Sequence, residues 1–232
     1  MSTFVLVHGA WHGGWCYKRV SERLRAEGHL VFTPTNTGLG ERSHLYHREI
    51  DLEVHITDIL NVIKWEEIDD FVLVGHSYGG MIITGVADRV PEKVRRLVYL
   101  DAFVPQDGQS IFDLLGPQIK AGFEEAADAF GDGWRVPSSD PEAERKTDAL
   151  LNVARTRLSL QNRDAARLKR TYVLSTNKAD DDLLAPVFRS IAARVRDTEG
   201  WDYFEKPWVH YPVLDQAGGV EAVTGLLLEL TP

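Results

Sequence analysis

A short apolar run that ends in small residues constrains this sequence more than any other feature. Residues 71–74 read Phe-Val-Leu-Val and are followed at once by Gly75-His76-Ser77-Tyr78-Gly79-Gly80. Buried strands commonly end in turn residues such as Asn, Asp or Pro, whereas this run ends in a serine flanked by glycines. Glycine permits a tight bend and a close approach of neighbouring backbone. The stretch therefore predicts a strand, a sharp turn that presents the Ser77 hydroxyl, and a helix directly after it.

Strands and helices alternate along the chain. Apolar runs predict strands at 4–7, 29–33, 71–74, 96–100, 171–175 and 202–205. Helical spacing of apolar residues predicts helices at 17–27, 52–65, 79–89 and 219–230. Strands that are apolar on both faces are typical of a parallel sheet covered by helices on both sides. The predicted fold class is α/β, with a mostly parallel sheet.

The segment 105–169 interrupts this alternation. It is rich in Ala, Asp, Glu and Arg at helical spacing, and it contains the proline-bearing stretch WRVPSSDPEAE. Apolar anchors such as Phe112, Phe123 and Trp134 argue against a wholly disordered segment. We therefore predict a small helical lid at 105–169, inserted into a core made of 1–104 and 170–232, within a single structural domain.

Composition limits the class of partner and the compartment. The chain has 232 residues and a formal charge of -9, and no basic run offsets it. This charge argues against binding to nucleic acid or to an anionic membrane. One cysteine, Cys16, excludes an internal disulfide and is typical of a reducing compartment. With no basic leader before the first strand and no apolar run of membrane-spanning length, we expect a cytoplasmic protein; the oligomeric state stays open, and a homodimer is compatible with the chain.

Two glycine-containing turns predict the centre of an acyl-transfer site. Residues 75–79 match G-x-S-x-G, the nucleophile elbow, in the strand-then-helix context that this motif requires. Acyl transfer also needs two backbone N–H groups directed at the developing oxyanion. One is expected from Tyr78, directly after the nucleophile Ser77. The other is expected from Ala10, on the glycine-containing loop that follows the first strand.

The general base of such a site is a histidine late in the chain, because the elbow fold uses the order Ser, acid, His. Of the eight histidines only His210 follows Ser77, and it lies between the last predicted strand and the last helix. The other histidines lack the spacing of a metal site; those considered were His12, His44, His47 and His55. We expect neither a metal nor a cofactor.

The acid that orients His210 has two candidates. Asp101 closes the strand after the nucleophile strand, inside an apolar run, where a buried carboxylate needs a partner such as an imidazole N–H. The run Asp180-Asp181-Asp182 follows a later strand, as triad acids often do, although such a run is more often a solvated loop. We favour Asp101 and keep Asp182 as the alternative.

The residues resemble a known family. The stretches HGAWHGGW, TGLGERSHL, GHSYGGM and VYLDAFVP, with the late His210, are similar to the α/β-hydrolases. Within them they resemble the branch of plant hydroxynitrile lyases, plant methylesterases and bacterial EstC-like esterases. The resemblance covers nearly the whole chain and implies a six-stranded core, a small helical cap and a Ser-His-acid triad.

Three positions depart from parts of that branch. The lyases carry Thr where this chain has Gly9, and Lys after the catalytic His where this chain has Tyr211. That Lys stabilises departing cyanide, so its absence favours ester hydrolysis. The plant members place the acid at the position occupied here by Lys178.

These patterns together predict a serine esterase. Its substrate is expected to be a small to medium apolar carboxylic ester, a small molecule, cleaved through an acyl-enzyme. Two other functions share the fold: a non-hydrolytic enzyme (hydroxynitrile lyase or cofactor-free perhydrolase), and an inactive binding module. Gly9 and Tyr211 argue against the lyase, while retention of Ser77 and His210 argues against the binding module.

Overall fold

The computed structural model describes residues 1–138, 145–179, 182–215 and 218–231. Six strands form one parallel sheet in the order β2-β1-β3-β4-β7-β8. They are β1 (Thr3–Val7), β2 (Leu30–Phe32), β3 (Phe71–His76), β4 (Val94–Leu100), β7 (Arg170–Ser175) and β8 (Trp201–Lys206). The α/β-hydrolase fold with a six-stranded sheet is thereby confirmed, and every pairing in this sheet is parallel.

Helices cover both faces of the sheet, as expected for strands that are apolar on both sides. On one face, α1 (Lys18–Ala26) and α8 (Gly219–Glu229) pack in one apolar cluster. On the other, α2 (Leu52–Trp65), α3 (Gly79–Arg89) and α7 (Ala185–Arg196) contribute to a second cluster. Each of the six residues of β3 is buried. Among the described helices, none combines the length and hydrophobicity needed to cross a lipid bilayer.

Local signals set several of these boundaries. The Asp51 side chain accepts a hydrogen bond of 3.0 Å from the Val54 N–H, which satisfies one free donor at the start of α2. Gly28, with φ of 83°, follows the end of α1 in a conformation that favours glycine. Strand β2 is shorter than predicted, three residues rather than five.

The described part of 105–169 lies between β4 and β7. Its described elements include three α-helices, α4 (Ile111–Leu115), α5 (Pro117–Phe130) and α6 (Leu151–Arg155), and an antiparallel pair, β5 (Arg135–Val136) and β6 (Ala149–Leu150). A short 3-10 helix (Arg163–Arg167) follows them. Several of their side chains join the same apolar cluster as α2, α3 and α7. Residues 139–144 of the predicted lid lie outside the described residues, and its separateness as a lid stays a prediction.

The glycines after Ser77 are required by close backbone contacts. A Cβ atom on Gly79 would lie 2.6 Å from the Val7 carbonyl oxygen, and one on Gly80 would lie 2.0 Å from the Phe103 carbonyl oxygen. Because both neighbours are backbone atoms, they cannot move aside as a flexible side chain could. Helix α3 therefore packs against the ends of β1 and β4 only if these positions are glycine.

We expect Gly80→Ala to lower the free energy of unfolding by about 3 kcal/mol or more, since the new methyl group overlaps a backbone carbonyl. Gly122→Ala is the matched control, because Gly122 is exposed in the middle of α5 and its Cβ would meet nothing within 4 Å. That control should raise stability by about 0.5–1 kcal/mol. Urea denaturation measures both variants, and equal stabilities would contradict the packing account.

Candidate active site

The candidate residues come from strand ends that meet at one edge of the sheet. Ser77 directly follows β3, Asp101 directly follows β4, and His210 lies in the loop after β8. Ala10 lies in the loop after β1. In a parallel sheet all carboxyl ends lie at the same edge, so residues far apart in sequence come together there.

Ser77 and Asp101 both have strained backbones. Their φ angles are 52° and 45°, in the left-handed region that non-glycine residues rarely adopt. Backbone hydrogen bonds hold both residues: the Ser77 N–H donates to the Leu100 carbonyl at 3.2 Å, and the Asp101 N–H donates to the Val173 carbonyl at 2.8 Å. Such strain persists where the surrounding structure imposes it, and it occurs often at functional sites.

Ser77, His210 and Asp101 form one chain of hydrogen bonds. The Ser77 Oγ lies 3.2 Å from His210 Nε2, and His210 Nδ1 lies 2.6 Å from Asp101 Oδ2. With the carboxylate facing Nδ1, the proton of the neutral ring is placed on Nδ1, and Nε2 accepts from the serine hydroxyl. Ser77 is 5% exposed and Asp101 is 1% exposed. The arrangement can remove a proton from the serine hydroxyl.

The alternative acid is placed elsewhere. Asp182 Oδ1 accepts hydrogen bonds from the N–H groups of Leu184 and Ala185, at 2.9 and 3.2 Å, at the start of α7. Its side chain satisfies free donors of that helix terminus, and no hydrogen bond or ion pair joins it to His210 in the described residues. Asp180 and Asp181, the other members of the run, lie outside the described residues.

The two expected oxyanion donors lie beside Ser77. Ala10 and Tyr78 line the same cleft as the serine. In the described parts of the chain, no protein acceptor receives a hydrogen bond from the backbone N–H of either residue. Two backbone donors without protein acceptors next to a nucleophile are what an oxyanion site requires.

A cleft beside Ser77, counted together with the open solvent at its mouth, holds about 630 Å³ of space free of protein atoms. Its lining is mainly aliphatic and aromatic and comes from the loops after β1 and β4, from α4, α5 and α6, and from the residue before α7. Representative residues are Trp11, Phe103, Leu115, Phe123, Val153 and Leu184. The space fits an uncharged apolar group better than an ionic one.

Buried neutral histidines support this site. His76 donates through Nε2 to the backbone carbonyl of His210 at 2.6 Å, so it fixes the loop that carries His210. Burial lowers the pKa of His76 well below its ordinary value, and the neighbouring His210 adds to that effect. A neutral ring offers one donor, which is the one that this contact uses. Because His76 lies inside the elbow motif, the sequence indicates that it is close to Ser77. Its hydrogen bond to the loop that carries His210 was not predicted.

His8 and His55 are neutral for the same reason. Burial lowers the pKa of His8 to about 3, and its ring bridges the Gly9 carbonyl and the Asn36 N–H, at 2.8 and 3.1 Å. Burial lowers the pKa of His55 to about 4. His55 Nδ1 accepts from the Tyr78 hydroxyl at 2.8 Å, which anchors the side chain after the nucleophile. His55 thus contacts a residue of the cleft.

The contact made by Lys178 was not predicted, although the resemblance places the acid of the plant members at this position. The Lys178 ammonium donates to Asp101 Oδ1 at 2.7 Å, on the oxygen that does not face His210. The sequence shows Lys178 in a polar loop next to a run of aspartates, and no signal there indicates burial. Its side chain is nevertheless only 5% exposed.

The positions that distinguish this chain from lyases are also in the site. A Cβ on Gly9 would lie 3.0 Å from His76 Nδ1 and 3.2 Å from Ser77 Cβ, so a threonine would be crowded there. The Tyr211 ring packs against His76 and His12, with centroids 4.8 and 4.6 Å apart.

Comparison with known proteins agrees with this architecture. The chain is 58% identical over 127 residues to the carbendazim hydrolyzing esterase of Nocardioides sp. (strain SG-4G), covering 53% of this chain and 52% of that protein. It is 35% identical over 118 residues to methylesterase 2 of Arabidopsis thaliana, covering 46% of this chain and 41% of the relative. In these matches the chain spans about half or less of the relatives' own length.

Solved structures share the fold across nearly the whole chain. An extracellular alpha/beta-hydrolase from a Paenibacillus species superposes with a TM-score of 0.82 at 23% identity, covering 99% of this chain and 98% of that one. A pyrethroid hydrolase from Sphingobium faniae JZ-2 superposes with a TM-score of 0.74 at 20% identity, covering 98% and 96%. The model of the alpha/beta hydrolase family matches residues 4–223, and this chain belongs to that family.

Proposed function

We propose that this protein is a serine esterase that hydrolyses a small to medium apolar carboxylic ester. The observation that carries the proposal is the hydrogen-bonded chain from Asp101 through His210 to Ser77, at the wall of an apolar cleft. The relatives named as esterases support the same class of reaction. Cytoplasmic location and a homodimer stay predictions from the sequence.

The proposed reaction has two stages. Ser77 Oγ attacks the ester carbonyl carbon while its proton moves to His210 Nε2, and the N–H groups of Ala10 and Tyr78 donate to the resulting oxyanion. His210 then gives its proton to the departing alkoxide, which leaves as the alcohol. Water attacks the acyl-serine in the same way, releasing the acid and returning the proton to Ser77. Asp101 stabilises the protonated ring at each transfer.

The described part of 105–169 contributes much of the substrate cleft, which supports the proposed lid. Leu115, Phe123 and Val153 come from its three α-helices and line the same cleft as Ser77. An acyl or alcohol group of apolar character would displace water from these side chains. Because a relative is named for hydrolysis of carbendazim, a methyl carbamate ester of an aromatic ring, that compound belongs in a substrate screen beside simple esters.

Ser77→Ala should abolish hydrolysis of p-nitrophenyl acetate and butyrate, with kcat falling at least about a thousandfold, since the attacking oxygen is removed. The variant should also fail to react with a fluorophosphonate probe. Ser190→Ala is the matched control, because Ser190 is exposed on α7. Full labelling of the Ser77→Ala protein would show that another residue carries the reaction.

The wild-type protein should release no cyanide from mandelonitrile above the uncatalysed rate. Gly9 and Tyr211 stand where the lyases carry Thr and Lys, and the Tyr211 ring provides no ammonium for a departing cyanide. A colorimetric cyanide assay run beside the p-nitrophenyl ester assay compares the two activities. Enzyme-dependent cyanide release that Ser77→Ala removes would contradict the hydrolytic assignment.

Asp101→Asn should lower kcat by about 10⁴-fold, the size of the same change in a well-studied serine protease, because the amide favours the wrong imidazole tautomer. It should also destabilise the fold by about 3–5 kcal/mol, since it leaves the buried Lys178 unpaired. Asp182→Asn keeps an acceptor for the α7 terminus and should change kcat less than tenfold. Turnover and unfolding are measured for both; a near-normal rate for Asp101→Asn would exclude Asp101 as the acid.

A further inference from the structure

Two ionisable side chains share the Asp101 carboxylate. Lys178 Nζ lies 2.7 Å from Oδ1, and His210 Nδ1 lies 2.6 Å from Oδ2. The Ser175 N–H also donates to Oδ1, at 3.2 Å. The side chains of Lys178 and Asp101 are 5% and 1% exposed, so solvent screens their interaction very little. The positive charge of Lys178 thus lies against the carboxylate on the side away from His210.

The Lys178 ammonium is held in this position from more than one direction. It lies 5.1 Å from the centroid of the Phe188 ring, a distance at which an ammonium is attracted to an aromatic face. The same ring stacks on His210, with centroids 5.0 Å apart and planes 25° apart. Phe188 therefore packs against both side chains that hydrogen-bond to the Asp101 carboxylate, and Lys178 is fixed relative to His210.

The Lys178 ammonium, 2.7 Å from Asp101 Oδ1, partly cancels the electric field that the carboxylate exerts on His210. An uncompensated buried carboxylate favours the protonated imidazole strongly, because opposite charges attract in a site of low polarity. A protonated His210 cannot take a proton from Ser77. A positive charge on the far side of Asp101 reduces this preference while leaving the hydrogen bond to Nδ1 in place.

We propose that Lys178 is a positioning residue for ester hydrolysis whose charge offsets that of Asp101, so that His210 remains a neutral base at lower pH than it would beside Asp101 alone. The inference rests on the proposed function and adds a residue to it. Lys178 is not among the residues that line the cleft beside Ser77, and it acts only through Asp101.

Other ionisable groups lie around the Lys178–Asp101 pair. They come from β3, β7, the loop after β8, the loop after β1, and the outer surface of α7 and β8. These groups are His76, Tyr172, Tyr211, His12, Arg189, Arg194, Arg196, Tyr203 and Glu205. Two of them are held neutral in the ordinary pH range, since burial lowers the pKa of His76 and raises that of Tyr172. Of the charged ones, Arg189, Arg196 and Glu205 line one surface cleft together with Lys178. The Arg194 guanidinium instead donates to the Val104 carbonyl. All four remain when only Lys178 is changed.

The test measures kcat/KM for p-nitrophenyl acetate between about pH 5 and 9 in Lys178→Met, Lys178→Gln and Lys178→Arg. Met and Gln both remove the charge, while Gln keeps a hydrogen-bond donor for Asp101. In both neutral variants we expect the acidic limb of the profile to move by about one pH unit to higher pH, the scale of a charge a few ångströms away. Lys178→Arg should restore the wild-type limb.

Arg189→Met is the matched control. Arg189 is an exposed cation on α7 and lines the same surface cleft as Lys178. Its removal changes the net charge by the same amount as removal of Lys178, but at a position that solvent screens. The acidic limb of the kcat/KM profile of Arg189→Met should have the same pH midpoint as that of the wild type. Thermal unfolding of every variant at one pH separates changes in stability from changes in the pH profile.

The pH dependence of Ser77 labelling by a fluorophosphonate provides a second readout that needs no ester. A wild type that labels at Ser77 but cleaves no ester would overturn the proposed function and still allow the inference to be tested by labelling. An unmoved acidic limb in both neutral variants would overturn the inference and leave the esterase proposal intact. If neither Lys178→Met nor Lys178→Gln folds, the inference is also overturned, because the Lys178–Asp101 pair would then serve folding.

Discussion

The left-handed backbone of Ser77, with φ of 52°, sets where β3 stops and α3 begins. Such a conformation costs a non-glycine residue on the order of 1–3 kcal/mol and needs support from its surroundings. Here the Ser77 N–H donates to Leu100, and the Ser77 carbonyl accepts from Phe103 and Gly80. Because these bonds come from the end of β4, from the residues just after it and from the first turn of α3, Ser77 is fixed by the packing of the sheet itself.

That geometry places the buried charges of the site within the sheet edge. Asp101 follows β4, the neighbour of β3, and it too has a left-handed backbone. A lone carboxylate at this depth would be costly. Lys178, in the loop after β7, contacts one oxygen and His210 contacts the other. The charges therefore balance where solvent is excluded, and the base keeps its orientation.

The other buried histidines around Ser77 are neutral. Burial keeps His8, His55 and His76 uncharged, and each ring uses its nitrogens to hold backbone or Tyr78 in place. The cleft is lined chiefly by aliphatic and aromatic side chains. An uncharged, apolar substrate loses least on entering such a site, which connects the packing of the insertion between β4 and β7 to the proposed class of ester.

The sequence by itself determined the α/β class, the order of the six strands along the chain, and the turn at Ser77, since these follow from local hydrophobic periodicity and from glycines next to a serine. It also left His210 as a single late histidine. It did not decide between Asp101 and Asp182, and it gave no indication that Lys178 is buried. Only the tertiary structure brings Asp101 within hydrogen-bond distance of His210 and buries Lys178 against it, because parallel strands bring the ends of β4, β7 and β8 together from positions 101, 178 and 210. Which side chains meet at that edge depends on the twist and spacing of the strands, and the local sequence specifies neither of these.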